Sequence, residues 1–268
     1  KEHNVALRQR AIDRKMSLNE YGLWPKDAGD DAKPVASKTE QDIYKALDLP
    51  WIAPELREDR GEIKLAEAGD LPDLIELSDI RCDLHAHTTA SDGKLYLDEL
   101  IDLARQRGYH TIAVTDHSVS QGQANGLSAE RLVKHIEAIR KFDKDQDDIN
   151  VLAGSEVDIL ADGKLDYDDD LLAELDIVVA SPHSALSQDG KKATKRLRAA
   201  IENPHVDIIG HATGRLIGRR EGLSPNFDEL FKAAAEHDTA FEINANPFRL
   251  DLRDIHAKAA IDAGVKLS

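Results

Sequence analysis

Asp83-Leu84-His85-Ala86-His87, followed by Ser91-Asp92-Gly93, carries the side chains of this sequence best suited to chemistry. Two histidines one residue apart in a strand direct both imidazoles to one face, with Cα atoms roughly 7 Å apart, close enough to hold one metal ion or two neighbouring ones. Asp92, in the loop beyond, could add an oxygen ligand. A lone His-x-His is a weak signal, but the theme recurs in Asp116-His117, Glu156 with Asp158, His183, His211, and Asn244 with Asn246. Imidazoles mixed with carboxylates suit zinc, manganese or iron, whereas an all-oxygen set would suit magnesium or calcium. The candidate ligands His85, His87, Asp92, His117, Glu156, His183 and His211 exceed one tetrahedral set, so two or more ions are expected. Glu156 is the carboxylate best placed to bridge them. Closely spaced ions clamp both the attacking and the leaving oxygen of a phosphate ester. Asp83 and Asp158 share strand faces with these ligands and are candidates to orient them.

The elements that must position these residues are legible as alternating periodicities. Apolar, strand-like runs occur at 80–84, 109–115, 149–154, 175–180, 206–210 and 239–243, and another begins at Val265. Helical spacing occupies 96–107, 128–142, 192–202, 226–236 and 253–263, with a shorter candidate at 168–174. Strand–helix alternation predicts an α/β fold with a parallel sheet, and seven strands in about 190 residues predict a compact (βα) barrel. A doubly wound sheet is the alternative, but no Gly-x-Gly-x-x-Gly turn follows the first strand. Five of the eleven histidines fall at or just beyond strand ends, where barrels place their chemistry; the other six do not.

Ahead of this region the character differs. Residues 1–15 predict a charged helix, 24–38 a Pro- and Gly-containing linker, and Thr39 caps a short helix with Ile43, Tyr44 and Leu47. The 268-residue chain is 41% hydrophobic, has no apolar run of membrane-spanning length, and begins at Lys1 without a methionine, which reads as a piece of a longer protein. Its single cysteine, Cys82, excludes an internal disulfide and fits a reducing cytoplasm. A formal net charge of −16 argues against a general nucleic-acid coat, although divalent ions would reverse the sign of an acidic pocket in a nuclease.

Asp83-Leu84-His85-Ala86-His87-Thr88, Thr115-Asp116-His117, Gly154-Ser155-Glu156-Val157-Asp158, Ser181-Pro182-His183 and Gly210-His211 resemble the motifs of the PHP (polymerase and histidinol phosphatase) superfamily of metal-dependent phosphoesterases. That resemblance implies a distorted seven-stranded, TIM-like barrel with a site for up to three ions at its mouth. Further strings narrow it to the bacterial and archaeal family X DNA polymerases. Lys1–Val5 through Leu18–Leu23 resembles the end of their α-rich thumb, Glu55–Glu62 the segment joining thumb to PHP domain, and Glu242–Pro247 with Arg249–Leu252 a late barrel motif. The resemblance implies a thumb remnant and linker over 1–58 and a PHP domain over 59–268. It also implies 3′-5′ exonuclease action on DNA 3′ ends with manganese or zinc in preference to magnesium, beside an upstream polymerase domain, in the cytoplasm near the nucleoid. Catalysis would fall to Glu156, His85 and His117. The family's palm carboxylates would precede Lys1, and its final Asp-x-His motif would follow Ser268. Cys82 stands where near relatives would carry Gly.

Several cations are candidates for phosphate contact. Lys192 and Arg196 belong to a basic cluster over 191–198, Arg215 follows His211 in a Gly-rich loop with Arg219 and Arg220, and Arg249 follows Asn244 and Asn246. Arg215 is the preferred phosphate ligand. Three rival readings stand beside the exonuclease: a histidinol-phosphatase-like phosphomonoesterase, a metal-dependent amidohydrolase, and a non-catalytic module bracing a polymerase. The Glu at the third strand end counts against the amidohydrolase.

Overall fold

The computed structural model describes every residue from Lys1 to Ser268 except Ala28 and Asp30, so part of the linker read over 24–38 lies outside the described residues. The chain divides into two units, Lys1–Glu76 and Leu77–Ser268.

In the first unit, helix α1 (Glu2–Asp13) buries His3, Leu7 and Ala11, a four-residue spacing that lines one face. Strands β1 (Met16–Asn19) and β2 (Gly22–Pro25) form an antiparallel hairpin with Leu18 opposite Leu23. The hairpin corrects the linker reading at its start, since Trp24 and Pro25 belong to β2. Leu23 also bonds past the hairpin, accepting from Val35 N–H and donating to Ala36 O. Four-residue strands leave too short an alternation to stand out from a Pro- and Asp-rich background. Thr39 caps α2 (Glu40–Ala46) by accepting the Asp42 N–H at 3.1 Å. Helix α3 (Glu62–Ala68) completes the unit. Leu7, Ala11, Leu23, Tyr44, Leu47, Ile52 and Ala66 share one core. Because α3 contributes Ala66 to that core, the division falls after Glu76, whereas the sequence expectation placed it at 58/59.

The second unit alternates strands and helices: β3 (Cys82–Ala86), α4 (Leu97–Gln106), β4 (Thr111–Val114), α5 (Ala129–Asp143), β5 (Asn150–Asp158), α6 (Asp169–Leu172), β6 (Ile177–Ser181), α7 (Gly190–Ile201), β7 (Ile208–Ile209), α8 (Phe227–His237), β8 (Ala240–Phe241) and α9 (Asp254–Asp262). The strands pair in parallel in chain order, β3 through β8. Neighbours in sequence are neighbours in space, the order of a barrel and not of a doubly wound sheet. Among the described residues six strands form this curled half-barrel, with the run beginning at Val265 beside β8, where the seventh is expected. That run pairs in parallel through the Phe241–Leu267 bridge, with Phe241 N–H donating to Lys266 O at 3.0 Å, Ile243 N–H to Ser268 O at 2.7 Å and Ser268 N–H to Phe241 O at 2.9 Å.

Helix starts are fixed by side-chain caps: Ser128 for α5, Asp168 for α6, Asp189 for α7 and Asn226 for α8. The apolar faces of these helices, with Leu132, Ile136, Ile139, Leu197, Ile201, Leu230 and Phe231, pack on the outside of the sheet. Inside the curl lie Ala113, Ile177, Val179 and Ile208, backed by Leu84 and Leu152. Each fully buried Leu or Ile contributes roughly 1.5–3 kcal/mol, so the sheet is a rigid floor for its strand ends.

Candidate metal centre

The strand ends converge because the sheet is parallel. His85 lies within β3, His87 one residue past it, and Glu156 near the end of β5. His117 pairs with Glu156 through an isolated parallel bridge beyond β4. His183 and His211 each stand two residues past the ends of β6 and β7. The loop carrying Asp92 folds back so closely that a Cβ on Gly93 would meet the His87 carbonyl oxygen at 2.2 Å. Buried Asp116 holds that loop, accepting the N–H groups of Thr88 and Ser91 at 3.0 and 3.1 Å, and His135 Nε2 lies 2.8 Å from its other oxygen. Asp92 Oδ1 is thereby set 2.8 Å from His87 Nδ1.

Five imidazoles form a closed ring. Centroid separations run 5.3 Å (His85–His87), 4.4 Å (His87–His117), 5.2 Å (His117–His183), 4.9 Å (His183–His211) and 6.0 Å (His211–His85). Glu156, 1% exposed, lies beneath them. Its Oε2 is 3.3 Å from His85 Nε2, 3.3 Å from His87 Nε2 and 2.9 Å from His117 Nδ1. Its Oε1 is 3.3 Å from His183 Nε2 and 2.8 Å from His211 Nε2. Two donors about 2.1 Å from one tetrahedral ion are about 3.4 Å apart, so these edges have the size of ligand–ligand edges. Glu156 Oε1 and His117 Nδ1 are buried, and despite these short approaches neither makes a well-aligned hydrogen bond among the described residues, which leaves bonding capacity inside the ring. Three overlapping donor groups result: His85, His87 and Glu156; His87, Asp92 and His117; His117, Glu156 and His183. The residues fit divalent cations held by nitrogen and oxygen.

The outward ring nitrogens of His85 and His183 are pinned. His85 Nδ1 lies 2.6 Å from Glu242 Oε1, and His183 Nδ1 is bonded to Asp158, which also accepts from Gln121 at 2.6 Å. Glu242 Oε2 accepts the His211 N–H at 2.6 Å and steadies a backbone whose φ of 23° is strained for a residue with a side chain. Gly210 is needed just before it, because a Cβ there would meet Ser181 Oγ at 2.4 Å. Carboxylates on the outer nitrogens fix the tautomer that turns the inner lone pairs toward Glu156. Burial opposes charge on Glu156, but the surrounding imidazoles, His85 foremost, hold its carboxyl well below the usual range. Burial likewise opposes charge on His183, and Asp158 and Glu156 outweigh it, raising that imidazole to about 9 in the ion-free protein.

A cavity of about 540 Å³ opens over the ring, with Asn244, Asn246, Arg249, Gln121 and Gln123 on its walls. All seven expected ligands line it, as do Asn244 and Arg249. Other expected substrate contacts do not. Arg196 is 1% exposed and donates to the carbonyls of Ile159 and Ser184, so the reading of it as a phosphate ligand is corrected: it ties α7 to the segments that follow β5 and β6. Lys192 is exposed on α7, 3.6 Å from Asp189. Arg215 donates to the carbonyls of Arg249 and Leu250 and faces a second cavity. Glu242, His135 and Gln121 were missed. Glu242 obeys the same strand-end rule, one residue past β8, but the apolar run over 239–243 concealed it.

Comparison with known proteins places these features. The PHP domain family model matches residues 83–246, and the DNA polymerase beta thumb model matches residues 1–58. The chain is 45% identical over 267 residues to the DNA polymerase/3′-5′ exonuclease PolX of Bacillus subtilis (strain 168), matching all of this chain but 46% of that protein. The chain thus spans about half the length of this relative. It is 32% identical to a probable phosphatase of Shewanella sediminis, over 69% of this chain and 74% of that one. A crystal structure of histidinol phosphate phosphatase from Lactococcus lactis, complexed with zinc, L-histidinol and phosphate, aligns with a TM-score of 0.45 and 16% identity over 70% of this chain and 84% of that one.

Proposed function

Since the chain belongs to the PHP domain family and carries a polymerase-beta-type thumb segment ahead of it, we propose that it is a metal-dependent phosphodiesterase that shortens DNA from 3′ ends, in the service of an upstream polymerase domain. The observation that carries this reading is the ring of five imidazoles around one buried carboxylate, open to a cavity rimmed by neutral amides and Arg249. Manganese or zinc held by His85, His87, Asp92, His117, Glu156, His183 and His211 would supply a nucleophilic water at neutral pH and neutralise charge at phosphorus. Glu156, kept ionised by its surroundings, remains a ligand and does not carry a proton. Glu242 and Asp158 hold His85 and His183 in place. Arg249 is positioned to hold a non-bridging phosphate oxygen, and Asn244 and Asn246 to orient the sugar beside it.

The test is a 5′-labelled single-stranded oligonucleotide incubated with Mn²⁺ and the intact protein. Stepwise loss of single nucleotides, abolished in Glu156→Ala and His85→Ala, is expected; an unshortened oligonucleotide would overturn the reading. Similarity to a probable phosphatase favours a second reading, a phosphomonoesterase. Release of inorganic phosphate from a nucleoside monophosphate, with oligonucleotides untouched, would select it.

A further inference from the structure

Beside the metal centre lies a groove of about 860 Å³ whose lining includes Arg215, Arg219, Arg220 and Arg253 against one carboxylate, Glu221. Three arginines elsewhere in this unit are paired with carboxylates: Arg105 with Asp102 and Asp148, Arg140 with Asp176, and Arg198 with Glu202 and Glu229. In the groove two arginines are held differently. Arg215 donates to the carbonyls of Arg249 and Leu250, and Arg220 donates to Gly214 O at 2.8 Å. Carbonyls position a guanidinium without cancelling its charge. Burial and the nearby charge on Arg249 both push the Arg220 guanidinium down from its ordinary value. In a chain of net charge −16, a pocket left positive in this way is selective for anions.

The groove and the metal centre share a wall. Ile217 N–H donates to Phe248 O at 2.7 Å, and Arg215 Nε to Arg249 O at 2.6 Å. Fully buried Asp251 accepts the N–H groups of Thr213 and Gly214, each at 3.0 Å, and the Thr213 hydroxyl at 2.8 Å. Residues 213–217 and 248–251 are therefore one rigid piece, with Arg249 facing the centre and Arg215 facing the groove. On its crest sits Phe248, 63% exposed, with the Arg219 guanidinium 5.9 Å from its ring centroid. An aromatic face left open to solvent beside a guanidinium is a stacking platform for an unpaired base.

We propose that this groove is a track for single-stranded nucleic acid leading to the metal centre, with Arg215, Arg219, Arg220 and Arg253 along its phosphates and a base stacked on Phe248. The inference rests on the phosphodiesterase reading, and deepens it by naming how the strand behind the scissile linkage is held. A stacked, unpaired base distinguishes the occupant from duplex DNA, whose bases offer no free π-face.

The test is binding of a fluorescent ten-nucleotide dT strand to the intact protein by anisotropy, with divalent ions chelated so that nothing is cut, over a range of salt. Arg219→Glu with Arg253→Glu is expected to weaken binding at least tenfold and to flatten the salt dependence by about 0.7 for each phosphate no longer neutralised. Phe248→Ala is expected to weaken it about fivefold or more with the salt slope unchanged. All three side chains are exposed, so the fold is spared. Affinity and slope unchanged in these variants would overturn the track, as would equal competition by an acidic peptide of matched charge. Groove-dependent binding with no nucleotide released on adding Mn²⁺ would support the track and overturn the phosphodiesterase reading.

Discussion

In the first unit His3 Nδ1 lies 2.5 Å from Glu62 Oε1, and its Nε2 lies 2.7 Å from the Tyr44 hydroxyl. Glu62 also accepts the N–H of Asp59 at 3.0 Å and of Arg60 at 2.7 Å. In the second unit histidines again meet a buried glutamate, yet Glu156 Oε1 and His117 Nδ1 make no well-aligned hydrogen bond among the described residues. Burial, residue types and distances are alike in the two places. Remaining bonding capacity is not. Where both oxygens and both ring nitrogens are used up, the pair is a fastening inside a core; where inward lone pairs are left over, the cluster keeps the capacity to receive a cation. A metal centre is thus distinguished from a buried ion pair by what it leaves unsatisfied.

The contrast is broken most severely at Glu156. Glu156→Gln should remove bound metal, measured by elemental analysis, and lower phosphodiester hydrolysis by about 10³-fold, the loss expected when several kcal/mol of charge stabilisation disappear. One layer out, Glu242→Gln and Asp158→Asn should each weaken metal affinity by about 10–100-fold while leaving the donor set intact, as read by isothermal titration. Glu62→Ala should leave metal content untouched and destabilise the first unit by about 1–3 kcal/mol, because buried donors lose their acceptor. Both tryptophans, Trp24 and Trp51, lie in that unit, so fluorescence-monitored urea unfolding reads it selectively.

The smallest effect belongs to Glu40. Hydrogen bonds from Arg57 and Trp51 lower its carboxyl from the ordinary 4.5 to about 2. A folded-state pKa below the unfolded one stabilises the fold above pH 4.5, and that contribution fades as pH falls toward 2. The pair is partly exposed, so a slight difference in melting temperature between the protein and Glu40→Gln at about pH 6 should close across that window.

The clustering of these side chains was readable because few residue types could hold a metal, and a parallel sheet puts most of them at one kind of place, the strand end, with Asp92 in the loop beyond. Helix bounds were readable for a similar reason, since α5 and α7 announce themselves by their caps and apolar spacing. What escaped depends on contacts that no local pattern encodes. Glu242 meets His85 across 157 positions, and His135 reaches Asp116 from the middle of a helix. Arg196 was misread because a basic helix face is ordinarily solvated, and only the curl of the sheet brings the Ile159 carbonyl over it. The hairpin at Met16–Pro25 was too short to show its alternation.

Glu156 offers one oxygen to His85, His87 and His117 and the other to His183 and His211, through a single rigid carboxylate plane. Whatever fixes one oxygen orients its twin, so the donor groups that share Glu156 are thermodynamically linked, and an ion at one changes affinity at the other by the factor it feels in return. Loading is then coupled: ion content should depart from the curve that independent sites would give.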